Sequence, residues 1–259
     1  MPMCLGLQCT DLLRVQTALA PPMSLRRRCV LLLFGLMAIL LTGLAGAQPI
    51  ARVELVDATR IRWTGRIDLT ALQQLRVLLD AHPSVSMLEL FDSPGAFEWG
   101  RRVVLDAADL IQRRRLATTA RGYCISACAA IFLAGVQREL ADESVRPIGQ
   151  EPVEPPPVSF LHWHGLYASG PQGPALDPDA TRWLLHRLGG LMGQAWPEPL
   201  ARAVMEAQTP RGGVYLIRRL AAGRVDEGVY TCVGTERRIP LDCTRYTARS
   251  ARELGLLRD

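Results

Sequence analysis

Cys124-Ile125-Ser126-Ala127-Cys128 runs directly into Ala129-Ala130-Ile131-Phe132-Leu133-Ala134-Gly135. An apolar run of this kind, opened by a single hydroxyl among small residues, reads as a short helix entering the core over residues 127–132. Packing or capping serines rarely sit between two cysteines with alanine behind them. A nucleophile does need small neighbours, so that a substrate carbonyl can reach it. Ser126 is therefore the candidate nucleophile. The N–H of Ala127, in the first helical turn, has no intrahelical acceptor and points to where an oxyanion would develop.

Upstream, residues 51–56 and 61–65 alternate as two short strands. Leu69, Leu72, Leu75, Leu78 and Leu79 then follow helical spacing from Asp68 to Ala81, and Pro83 ends that helix. Residues 85–91 read as a strand, Asp92-Ser93-Pro94-Gly95-Ala96 as a sharp turn, 97–114 as a helix and 116–120 as a further strand. Downstream, the proline-rich residues 142–157 read as a surface excursion and 158–163 as a strand. A Gly- and Pro-rich loop covers 165–178, helices cover 181–192 and 197–207, and the tail from Val214 mixes a short helix with a cysteine-bearing segment. The alternation of strand and helix predicts an α/β fold with right-handed crossovers.

Residues 1–47 stand apart from this pattern. Arg26, Arg27 and Arg28 precede an apolar run from Cys29 to Leu44, and Ala45-Gly46-Ala47 supplies a small-x-small cleavage signal. We read this as a signal peptide or, uncleaved, a membrane anchor, with Met23 an alternative start. Residues 48–259 are then a single domain in the periplasm or outside the cell, with inner-membrane anchoring through the leader as the variant. Arg14 and the three leader arginines, against Asp11, account for three of the net +5 charges, so the remaining +2 is no footprint for nucleic acid. There is no lysine anywhere in the chain. Lysine bases, Schiff bases and P-loop lysines are thereby excluded, and any base must be histidine or a carboxylate.

Four cysteines follow the leader: Cys124, Cys128, Cys232 and Cys243. An even count in an exported chain suggests disulfides, and the local pairs Cys124 with Cys128 and Cys232 with Cys243 demand the least loop closure. For Cys124 and Cys128 the competing reading is two small buried thiols. The spacings lack the paired ligand arrangement of a zinc site, and no metal or other cofactor is expected.

Taken together, Ser93-Pro94-Gly95-Ala96, the Cys124–Cys128 segment, Phe132-Leu133-Ala134-Gly135 with Arg138, and a strand ending at His162 resemble the Clp protease proteolytic subunit family. The resemblance is closer to predicted periplasmic proteins of the same Clp/crotonase superfamily, and it spans residues 52–165 best. It implies a Clp/crotonase-like spiral of ββα units and a serine peptidase acting on peptides or unfolded chains. It also implies self-assembly into a homo-oligomer. By position it carries the nucleophile to Ser126, the base to His162, and the oxyanion hole to the backbone of Gly95, Ala96 and Ala127. The family turn ends in two glycines, and Ala96 replaces the second; if that position required a positive φ, alanine would cost about 1 kcal/mol.

His164 competes with His162 for the base, because the two share a face of an ideal strand. The apolar run 158–161 favours His162, as the first polar group beyond the buried part. His82 and His186 read as helix-end or helix-surface residues. Asp177, Asp179 and Asp226 are the carboxylates weighed as a third member, and none stands in a recognisable context. Trp163, Trp183 and Trp196 either line a peptide groove or pack internally. Two other functions remain: a catalytically inactive envelope protein of this fold serving binding or assembly, and crotonase-type acyl-CoA chemistry. Export disfavours the second, since coenzyme A is cytoplasmic.

Overall fold

The computed structural model describes residues 50–96, 100–141, 157–171, 173–221, 224–239 and 242–259. The leader, the start of the 97–114 helix and nearly all of the 142–157 excursion lie outside these residues. Strands β1 (Arg52–Asp57) and β2 (Arg60–Thr64) form an antiparallel hairpin. Asp68 opens helix α1 (Leu69–Ala81), its carboxylate accepting from the N–H of Ala71 at 2.8 Å. That bond satisfies one of the orphan donors of the first turn. Strand β3 (Met87–Ser93), helix α2 (Gly100–Arg114), strand β4 (Ala117–Ile125) and helix α3 (Ala127–Phe132) follow.

The main sheet has the order β1-β2-β3-β4-β6-β9-β10-β11, with β6 at Pro157–Trp163, β9 at Gly213–Ala221, β10 at Arg224–Cys232 and β11 at Thr244–Tyr246. From β2 to β6 the pairing is parallel; the β6–β9–β10–β11 flank is antiparallel. The architecture is α/β, as the alternation predicts.

Three local expectations change. The strand expected at 116–120 runs on to Ile125 and delivers Ser126 directly. Its edge is shared: the short strand β5 (Arg138–Leu140) pairs with Thr118–Ala120, and β6 pairs with Gly122–Ile125. The handover falls at Gly122, whose φ is +70°, beside a register shift against β3. Such a bulge bends and re-aims a strand. The loop over 165–178 contains a small hairpin of β7 (Tyr167–Gly170) and β8 (Gly173–Leu176).

The tail is not helical at its start: β9 and β10 form a long antiparallel hairpin. The apolar run Val214–Ile217 hides the alternation because both faces of β9 are covered. Val214 and Leu216 join the main core, while Tyr215 and Ile217 join a second cluster with Tyr123, Phe160, Tyr230 and Cys232. A strand buried on both faces loses its period-two signature.

Helices α4 (Pro178–Met192) and α5 (Glu198–Met205) complete the regular elements among the described residues. The main core joins α1, α2 and α3 to the sheet through Ile61, Trp63, Leu72, Leu75, Leu90, Val103, Ile111 and Phe132. All six residues of α3 are buried. The four cysteines among the described residues form two disulfides, Cys124–Cys128 and Cys232–Cys243. Among the described residues, no helix is long and apolar enough to cross a membrane.

Candidate active site

Strand β4 ends at Ile125 and α3 begins at Ala127, so Ser126 alone makes the turn between them. Its backbone takes φ +58° and ψ −115°, and its side chain makes no capping hydrogen bond. A non-glycine residue held in such a region costs roughly 1–3 kcal/mol and persists only where its surroundings over-determine it. Here they do. The N–H of Ser126 donates to the His162 carbonyl at 2.9 Å, and its own carbonyl accepts from Ala130 at 3.0 Å. The disulfide ties the residues two before and two after.

The Ser93-Pro94-Gly95-Ala96 turn closes the site from the β3 side. Gly95 has φ +91°, and a Cβ there would stand 2.6 Å from the Ile125 carbonyl and 3.0 Å from the Ser126 Cβ. Glycine is required on both counts: the left-handed backbone, and the close approach to the serine. The Gly95 N–H donates to the buried Ser93 Oγ at 3.3 Å, and its carbonyl accepts from Ile67 at 2.9 Å. Outside glycine, positive φ among the described residues occurs at Asp92, Arg115 and Ser126. Ala96 is not one of them, so the alanine in place of the family's second glycine carries no such penalty.

Gly95→Ala is expected to lower kcat/KM of any reaction at Ser126 by about 100-fold or more, because a displacement of about 1 Å at a reacting group costs that much. Thermal unfolding should drop in parallel through the unfavourable φ. Parallel ester-hydrolysis and calorimetric measurements on the variant check this; unchanged hydrolysis would contradict the packing described.

A cavity of about 430 Å³ opens beside Ser126. Ser126, Ala127, Ala96 and His164 line one side of it. Val104, Leu105 and Ala108 of α2 and Trp183, Leu184, Leu188 and Leu191 of α4 form much of its apolar lining, while Arg101, Asp109, Gln112 and Arg187 bring charged and polar groups to the wall. Gly95 supports the wall from behind and does not reach the cavity. Trp183 lies under the Arg101 guanidinium, 4.1 Å away. Trp163 touches the cavity but also donates through Nε1 to the Ala129 carbonyl at 3.0 Å and meets the buried Trp196 edge-on. Trp163 and Trp183 thus reach the cavity wall, and Trp196 packs internally.

The two histidines share a face, with ring centroids 5.2 Å apart, yet their surroundings differ. His162 is 3% exposed and is not on the cavity wall. Its Nε2–H donates to the Gly212 carbonyl at 3.0 Å, and its ring stacks on Tyr215 at 3.9 Å. Burial pushes the His162 imidazole down to about 3, with nearby His164 adding to the shift and the Gly212 carbonyl opposing it. His164 stands just past the end of β6, on the cavity wall. Its Nδ1–H donates to the Gly165 carbonyl at 2.6 Å, which leaves Nε2 as the unprotonated nitrogen. Burial lowers its pKa from the ordinary 6.5, against the Gly165 carbonyl.

The carboxylates weighed as a third member are engaged elsewhere. Asp177 caps α4 by accepting from Ala180 at 2.9 Å, Asp179 pairs with Arg182, and Asp226 pairs with Arg245. None of the three lines the cavity. The Gly165 carbonyl has no signature in the sequence, because every residue presents one. The group Cys232, Glu236 and Cys243 has ligand-like proximity, but its two sulfurs are joined to each other.

No protein-family model matches the chain, and no curated protein matches it. Among solved structures, the chain is similar to a mutant of the 1510-N membrane-bound stomatin-specific protease, with 13% identity and a TM-score of 0.38 over 57% of this chain and 67% of that one. It is also similar to the ClpP protease catalytic domain from Plasmodium falciparum, with 12% identity and a TM-score of 0.38 over 76% of this chain and 80% of that one.

Proposed function

We propose that the protein is a serine peptidase of Clp-protease-like fold that works through an acyl-enzyme on Ser126, with His164 as the base. The observation that carries this reading is the shared cavity wall: a serine in a strained strand-to-helix turn and a histidine whose Nδ1–H is engaged by the Gly165 carbonyl line the same cavity. His164 Nε2 takes the Ser126 hydroxyl proton as Oγ attacks the substrate carbonyl. The backbone N–H groups of Ala96 and Ala127 hold the oxyanion. The imidazolium then protonates the leaving amine, the peptide bond breaks, and an ester to Ser126 remains. Water enters, gives a proton to the same Nε2 and attacks the ester carbonyl; the acyl–Oγ bond breaks, the imidazolium returns the proton to Ser126 Oγ, and the carboxylic acid product leaves.

The Gly165 carbonyl takes the place that a carboxylate fills in a triad. It fixes the His164 tautomer and orientation, though as a neutral dipole it stabilises the imidazolium less than a carboxylate would. His162 is a positioning residue: its carbonyl anchors the Ser126 amide and its ring packs behind His164.

The cavity suits a large apolar side chain on the acyl side of the scissile bond, in peptides or unfolded proteins that present extended chain. We place this activity in the periplasm or outside the cell, with the leader either cleaved or kept as an inner-membrane anchor, and with self-association as the assembly mode. An inactive relative serving binding or assembly is the second reading, motivated by the lack of a carboxylate on either histidine among the described residues.

Incubating the purified mature protein with an extended-peptide library and identifying the products by mass spectrometry decides between the two. Cleavage after leucine, methionine or aromatic residues supports the peptidase. A folded protein that cleaves nothing supports the inactive relative.

A further inference from the structure

We propose that the Cys124–Cys128 disulfide is the device that holds Ser126 in its reactive geometry, so that the site is assembled only in the oxidised protein. The inference rests on Ser126 being the nucleophile. Both cysteines are fully buried, one on β4 in register with Ser93 and Leu161, the other on α3. The bridge therefore spans the turn that Ser126 makes alone. Serine opening a helix ordinarily takes an extended backbone, and its hydroxyl accepts from the N–H of the second or third helical residue. In this protein those donors would be Cys128 and Ala129.

Ser126 does neither: its φ is +58° and its hydroxyl caps nothing. Two arrangements compete for the same residue. In one the hydroxyl is tied to α3; in the other it faces the cavity. Linking residues 124 and 128 restricts the relative placement of the strand end and the helix, and with it the relaxation of the turn between them. Reduction frees the turn to adopt the ordinary cap, which withdraws the hydroxyl from the cavity. A protein made in a reducing compartment would thus carry a disarmed serine until export and oxidation.

The test compares wild type, C124A/C128A and C232A/C243A by three readouts: the rate of phosphonylation by a fluorophosphonate, kcat and KM for a peptide ester, and hydrogen exchange of the Ser126 amide. Loss of the first disulfide should lower phosphonylation and kcat by about 10- to 100-fold with KM little changed, the scale of a small misplacement of a reacting group. Exchange at the Ser126 amide, bonded to the His162 carbonyl, should quicken by about tenfold or more, as expected where a local opening becomes easier. Loss of the second disulfide should leave all three readouts near wild type even where it lowers the melting temperature.

Refolding C232A/C243A with and without reductant covers the case in which the alanine pair fails to fold, since the two thiols keep the side-chain volume. Phosphonylation and amide protection that both ignore Cys124–Cys128 would overturn the proposal. A wild type inert to the probe, with amide protection that still falls on losing this disulfide, would support the positioning role while removing Ser126 as nucleophile.

Discussion

Ser126→Ala is expected to lower kcat/KM for peptide-ester hydrolysis by about 10⁴-fold or more, the scale seen when a serine nucleophile is removed and only binding and oxyanion contacts remain. The fold should tolerate the change, because the hydroxyl makes no capping bond and alanine meets the same backbone cost at φ +58°. Ser126→Gly would separate function from stability further. Glycine relieves the left-handed strain and should raise thermal stability by about 1 kcal/mol, while abolishing hydrolysis equally. Residual hydrolysis above about a tenth of wild type in either variant, at equal purity and folding, would remove Ser126 from the mechanism.

His164→Ala should cost about 10³- to 10⁴-fold in kcat, the range for losing a base that serves both steps. His162→Phe should cost less than about tenfold, since an aromatic ring can keep the stack on Tyr215 and the anchoring carbonyl belongs to the backbone. The pH profile adds a sign. The base works as neutral imidazole, and burial lowers the pKa of His164 below the ordinary 6.5. The midpoint of the acid limb of kcat/KM should therefore lie below pH 6.5, activity falling as the pH drops through it and the imidazole takes up its proton. An acid limb above pH 6.5, or equal losses from the two substitutions, would contradict the assignment.

The parts of the molecule that were legible in the sequence share one property: their signal is local. The α1 helix declared itself through leucine spacing and the Asp68 cap, and the Ser126 turn through small residues before an apolar run. The β9–β10 hairpin did not, because an apolar residue on each face of β9 erases the alternation that marks a strand. The end of β4 is hidden for a related reason: a glycine weakens the strand pattern, and Gly122 is the bend at which the strand exchanges β5 for β6.

At the site, periodicity puts both histidines on one face but cannot say which reaches past the sheet edge. That depends on where β6 ends and on the α2 and α4 helices that wall the cavity, both long-range consequences of packing. The orienting group for His164 is a carbonyl of the main chain, which no side-chain pattern encodes. Whether Ala96 is strained depends on its φ, which the residue type does not encode and which is not positive here.

The most direct test of the central claim is peptide mapping by mass spectrometry after reaction of the oxidised, mature protein with a fluorophosphonate. The account predicts a single stoichiometric adduct on Ser126, formed slowly or not at all in His164→Ala. An adduct on another residue, or none on a protein whose Cys124–Cys128 disulfide is intact, would contradict it.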